Sequence, residues 1–241
     1  MKTKLVHEVR AIKTRRELGN IVKAQRISER VLKLALTKLR DGITELQIAN
    51  FIKKTYVKMG APVLAFNPIV SFGKNTANIH HQPGKATLKK GDIVMFDFGT
   101  TVNHYCSDMT RTYFWGEPSA KQKKVYLSVL EAQNRALKKV LAGEKKAAVI
   151  DKSARNYLAK KFKNNFKHGL GHGVGTVIHE WPNFKLGSSD ILPAGVVMTV
   201  EPGIYLKKFG GVRIEDMVLV GKKGCRNLTK MPKSLDWAII P

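Results

Sequence analysis

Cysteine is nearly absent: Cys106 and Cys225 are the only two in 241 residues. Two thiols without C-x-x-C spacing make no disulfide scaffold, and they fit a reducing, cytoplasmic setting. Long apolar runs are missing too. No segment reaches the roughly 18 consecutive apolar residues that a membrane-spanning helix requires. The opening MKTKLVHEVRAIKTRR has no apolar core of signal-peptide length. Acidic residues are few: 18 Asp and Glu face 43 Lys and Arg, which leaves a net charge of +25. That balance predicts solubility and attraction to polyanions such as RNA, DNA or anionic lipid. The plainer alternative is a lysine-rich surface set by composition. The lysines are spread along the chain with few interleaved aromatics, and the runs Lys121–Lys124 and Lys160–Lys167 read as solvated helix faces and ends.

Several familiar motifs are missing as well. HGLGHGVG (168–175) does not satisfy GxGxxG, and GKNTANIH is not a GxxxxGK[ST] phosphate loop. His179-Glu180-Trp181-Pro182 lacks the second histidine of HExxH. There is no GxSxG elbow, although spacing alone leaves a Ser-His-Asp triad open.

What is present is enough apolar residue, 43% of the chain with 25% charged, to build a sizeable core. Apolar residues at three- and four-residue intervals predict a helix over about Lys13 to Leu39 and a second from Thr44-Glu45 to Gly60. Ala61 to Phe72, interrupted by Pro62 and Pro68, reads as short strands, and Gly73 to Gly84 as a loop carrying His80 and His81. A hairpin follows. Then a second pair of helices (about 120–141 and 149–162), the glycine-rich stretch, His179 and a second hairpin repeat the order. No identity recurs at a fixed period, and Gly116 to Ser119 is too short for a linker. One domain over 1–241, of α+β class with two similar halves, is expected.

The chemistry lies in the hairpins. In GDIVMFDFGTTVNHYCSDMTR, Asp97 interrupts an apolar run and Asp108 lies eleven positions on. With a turn over Thr101 to His104, the two would be directly opposite on one face. The second hairpin repeats the device: Glu201 in VVMTVEPGIYL and Glu215 in GVRIEDMVLV would face each other across a turn near Lys208. Four buried carboxylates repel unless neutralised, and two divalent cations would cancel their charge. Among the seven histidines, His172 is the best candidate for a fifth ligand, because its flanking glycines let the backbone come close. His179 and His80 lie nearby in the pattern.

Asp97, Asp108, His172, Glu201 and Glu215 together resemble the five metal ligands of the pita-bread metallopeptidases, the group of methionine aminopeptidases, Xaa-Pro aminopeptidases, prolidases and creatinase. The resemblance runs from about Ile12 to Leu235. AFNPIVSFGKNTANIHHQPG, GLGHGVGTVIHEWP, VEPGIYL and GGVRIEDMVLV followed by LTKMPKSL are similar to the Xaa-Pro branch. Enzymes of that branch usually carry a separate N-terminal domain, which these residues do not include, so substrate length and assembly, as a monomer or a homodimer, stay open.

The resemblance implies a pita-bread fold, with two pseudo-symmetric halves around a curved antiparallel sheet. It also implies two divalent cations, Mn²⁺ first, with Co²⁺, Zn²⁺ and Fe²⁺ as alternatives. Asp97 would serve one cation, Asp108 and Glu215 would bridge, and His172 and Glu201 would complete one shell. Glu201 would act as general base, and His179 and His80 would hydrogen-bond the substrate and the tetrahedral oxyanion. Arg213 would orient the carboxylate of a ligand or of the substrate; the structural alternative is an ion pair with Asp216 or Glu215. The implied activity is hydrolysis of the N-terminal bond of Xaa-Pro peptides. Methionine aminopeptidase is the alternative, and a basic RNA- or ribosome-binding protein on the same fold is a second.

Overall fold

A computed structural model describes residues 2–241, so Met1 of the expected domain lies outside the described residues. The first half comprises α1 (Lys2–Ala11), α2 (Arg15–Leu36), α3 (Glu45–Lys58), β1 (Ile69–Phe72), a 3₁₀ turn at Gly73–Ala77, β2 (Ile93–Asp97), β3 (Thr101–Val102), β4 (Tyr105–Cys106) and β5 (Thr110–Trp115). The second comprises α4 (Ala120–Leu141), α5 (Ala147–Phe162), β6 (Gly171–Gly173), β7 (Glu180–Phe184), β8 (Val197–Val200), β9 (Gly203–Leu206), β10 (Gly210–Arg213), β11 (Asp216–Val220) and β12 (Cys225–Asn227). The chain closes with α6 (Leu235–Ala238) and β13 (Ile239–Ile240). The expected order of two helices, a loop and a hairpin thus occurs twice, in an α+β arrangement.

Side chains fix where the long helices start. Thr14, Thr44 and Ser119 each accept from the backbone N–H three residues on, while Glu17, Gln47 and Gln122 reach back to the cap N–H. α1 was not expected, and neither were the short β7, β12 and β13. Ala61 to Phe72 yields one strand, β1, plus an isolated bridge from Leu64 to Thr100.

One sheet has the order β1-β2-β5-β13 and the other β12-β11-β8-β6-β7, with β9-β10 and β3-β4 as two-stranded ribbons. All pairings are antiparallel except β13 on β5, which is parallel. One apolar cluster draws on α2, α3, α4, α5 and both larger sheets, so both halves share a core. Apolar burial of this kind is the main stabilising contribution to such a layer.

The second hairpin has the expected register. Asp216 pairs with Val200 and Gly203 with Arg213, so Glu201 and Glu215 fall opposite each other in the gap between the two paired stretches. The first hairpin differs from expectation. Asp97 pairs with Thr110, and Thr101 with Cys106. The turn is the two-residue Asn103-His104, both with positive φ, the signature of a tight hairpin. Asp108 therefore lies in the connection between β4 and β5, diagonal to Asp97 rather than opposite it. The shift is two residues, so the side chain stays on the same face.

Candidate metal centre

The eight residues singled out from sequence line one cavity of about 470 Å³: His80, Asp97, Asp108, His172, His179, Glu201, Arg213 and Glu215. Asp108, His172 and Glu215 each offer one ligand atom within 4.8 Å of the others. His172 Nε2 stands 3.2 Å from Glu201 Oε1 and 3.6 Å from Asp108 Oδ2. Its Nδ1 lies 3.0 Å from the Gly173 carbonyl, which can only accept, so Nδ1 carries the proton and Nε2 faces the carboxylates. The flanking glycines have the expected role: a Cβ at Gly171 would meet Thr199 O at 2.1 Å, and one at Gly173 would meet Trp181 O at 2.6 Å.

The electrostatics are uneven. Burial, together with the carboxylates of Glu215, Asp97 and Glu201, pushes Asp108 well above the usual carboxylate range. Burial and the Glu201 and Asp97 charges do the same to Glu215. Asp97 is raised by burial, despite its contact with Arg213. Glu201 alone goes the other way. Burial opposes its charge, but the hydrogen bond and charge of His172 hold it at about 2. Asp97 Oδ1 and Glu215 Oε1 are buried without a hydrogen-bond partner. Orphaned carboxylate oxygens inside a ring of like charge fit hard divalent cations, which take oxygen donors alongside one imidazole.

Arg213 contacts neither Asp216 nor Glu215 in an ion pair. Its Nη2 donates to Asp97 Oδ2 at 2.6 Å, its Nη1 to Tyr205 OH at 2.7 Å and its Nε to Thr110 Oγ1 at 3.0 Å. Asp216 is taken instead by Arg111 and Lys233 on the far face of β11. Tyr205, His168, Thr110 and Thr199 were not anticipated. Tyr205 OH lies 2.8 Å from His168 Nε2, Thr110 Oγ1 donates to Glu215 Oε2 at 2.7 Å, and Thr199 Oγ1 donates to Glu201 Oε1 at 3.1 Å. Strand parity was the available signal for Tyr205. It sits two residues along from Gly203, which pairs with Arg213, and so shares Arg213's face.

His179 packs edge-on to His172, with ring centroids 4.4 Å apart. Partial burial and the neighbouring His172 keep its imidazole below the usual range, so it is neutral near pH 7. His80 reaches the same cavity from the 73–84 loop.

Residues 19–222 match the sequence model of metallopeptidase family M24. The chain belongs to that family. Among curated relatives, an uncharacterised peptidase of Staphylococcus aureus (strain MW2) is 38% identical over 229 residues, covering 95% of this chain and 65% of the relative. The chain thus spans just under two thirds of the length of such relatives. An X-Pro aminopeptidase from Thermotoga maritima MSB8 superposes with a TM-score of 0.93 at 38% identity, over 98% of this chain and 67% of that one. Prolidase from Pyrococcus furiosus gives 0.91 at 38% identity, over 95% and 68%. Among the described residues, no helix is long and apolar enough to cross a membrane.

Proposed function

We propose that this M24 chain is a metal-dependent exopeptidase that hydrolyses the N-terminal bond of Xaa-Pro peptides, as an aminopeptidase or a dipeptidase. The observation that carries the reading is the pair of buried, unpartnered oxygens on Asp97 and Glu215 in a cavity also lined by Asp108, His172 and Glu201. The names of the structural neighbours, X-Pro aminopeptidase and prolidase, support the substrate class. The same reading takes residues 1–241 as one catalytic domain in a cytoplasmic setting, a monomer or homodimer acting on peptides.

Asp97, Asp108, His172, Glu201 and Glu215 would hold two divalent cations, with Mn²⁺ the first assignment. Such a pair lowers the pKa of a water and polarises the scissile carbonyl. The chain's own groups do the rest. Glu201, the most solvent-accessible of the four carboxylates, accepts the proton of the attacking water and passes it to the leaving amine. Neutral His179, and His80 across the cavity, donate to the carbonyl oxygen as it gains charge. Arg213 offsets part of the cost of burying Asp97 and aims it inward. Phe66, Ile69, Ile178 and Phe184 line the cavity and limit bulk water.

The test is hydrolysis of Xaa-Pro and Met-Ala peptides by Mn²⁺-loaded protein, with metal content measured alongside. Cleavage of the Met peptide alone would move the assignment to methionine aminopeptidase. A second reading, binding of RNA or a ribosome, is favoured by the +25 charge and by a groove lined by Lys74, Lys85, Lys89 and Lys208. Filter binding that weakens steeply with salt, without peptidase activity, would support it instead.

A further inference from the structure

Glu45 is the first residue of α3, yet its side chain is turned away from water and is 0% exposed. The helix does not need it as a cap, because Thr44 already accepts from Gln47 N. The carboxylate instead gathers four donors from one loop. Phe72 N and Asn75 Nδ2 donate to Oε1 at 2.8 and 2.9 Å. His81 Nε2 and Gly84 N lie 2.8 and 3.1 Å from Oε2. These contacts hold both ends and the middle of the segment 72–84. Four hydrogen bonds spread over both oxygens offset the cost of burying this carboxylate.

The same segment places Ile79, His80 and Gln82 on the cavity wall. A second tie, from Gly211 N to Thr76 Oγ1 at 2.7 Å, fixes the loop on the other side of the 3₁₀ turn. Between Thr76 and His81 the segment is short, and His80 is the residue next to the Glu45 contact. We propose that Glu45 is a positioning residue: through His81 and the 72–84 loop it sets where His80 stands in the cavity. The proposal rests on the peptidase reading for its effect on turnover, but not for its effect on the loop.

Glu45→Gln keeps the shape but turns an amide donor toward His81 and the Gly84 N–H. The expected result on Xaa-Pro peptides is a fall in kcat of roughly 10- to 100-fold with KM little changed. Metal content should stay the same, since none of the five ligands is touched. The variant that tests the route is Glu45→Gln combined with His80→Ala: it should be no slower than His80→Ala alone, because both act through one side chain. Losses that multiply would show that Glu45 does not act through His80 and would overturn the proposal. Amide hydrogen exchange gives a readout independent of activity. Glu45→Gln should speed exchange across 72–84 while α3 is unchanged, and unaltered exchange in that segment also overturns the proposal. An inactive wild-type protein whose loop still loosens in the variant supports the pin and counts against the peptidase reading instead. Should Glu45→Gln not fold, His81→Asn removes one of the four contacts and should give the same pattern at smaller scale.

Discussion

The two hairpins supply matching pairs of carboxylates but very different surroundings. In the second hairpin, Glu201 accepts from Thr199 and faces His172 at 3.2 Å, both from its own half. Arg111 of the first hairpin is turned to Asp216 on the far face and serves neither Asp97 nor Asp108. Asp97 relies on Arg213 of β10, and Asp108 has His172 Nε2 of β6 at 3.6 Å. The cationic partners of the first hairpin's carboxylates therefore come from the second half, while Thr110 of the first half returns one hydrogen bond to Glu215. What remains unbalanced sits on Asp97, Asp108 and Glu215, which is where bound cations would have most to do.

The comparison can be broken most directly at Asp108. Replacing it with Ala should lower peptidase turnover on the order of 10³-fold, in line with the several kcal/mol a catalytic cation contributes; retained turnover in a steady-state assay would sink the metal-centre assignment. Arg213→Lys comes next. A lysine cannot reproduce the fork that joins Asp97, Thr110 and Tyr205, so metal affinity or turnover should fall roughly 10- to 100-fold. Titration of Mn²⁺ into the variant measures this.

A third prediction concerns the chelator-treated protein. Glu215→Gln removes a charge that the protein alone does not neutralise, and should raise stability by about 1–2 kcal/mol, roughly 2–8 °C in Tm. Glu201→Gln should lower Tm, because it strips His172 of its partner. Melting curves in EDTA that moved the same way for both variants would erase the distinction between the hairpins.

The smallest effect is the pH dependence of that metal-free protein. Asp97, Asp108 and Glu215 have folded-state values above their unfolded ones, so their contribution is fully present below the ordinary carboxylate range and is lost as pH rises. Glu201, held at about 2 against an ordinary 4.5, contributes above that range and is lost only as pH falls toward 2. Three groups outweigh one, so Tm in EDTA should decline as pH is raised from about 5. Mn²⁺ should flatten the decline.

Much of this was readable from the chain. α2, α3 and α4 announce themselves through 3.6-residue periodicity and Ser or Thr caps, both of which are local. The Glu201–Glu215 register was legible because the turn near Lys208 is short and joins two apolar segments. The first hairpin misled because Asn103-His104 is a tighter turn than the four residues expected, and a non-glycine pair with positive φ carries a weak signal. The error was an even number of residues, so the facing side chains survived it. Arg213's partner was missed for a different reason. Sequence neighbours Glu215 and Asp216 look available, but alternation along the strand sends Asp216 to Arg111, while the residue that meets Arg213 comes from the other sheet. β7, β12 and β13 are short and exist only through their tertiary pairings, which no local pattern encodes.

The seam between the halves has a consequence for how the cavity fills. Thr110 bonds Glu215 through side chain and backbone, Thr112 exchanges hydrogen bonds with Arg213, and Arg213 crosses to Asp97. A jaw hinged along that line would have to tear apart the very groups that define the floor. With residues 72–84 also pinned through Glu45 and Thr76, the cavity is a preformed socket whose floor and near wall are built from both halves at once.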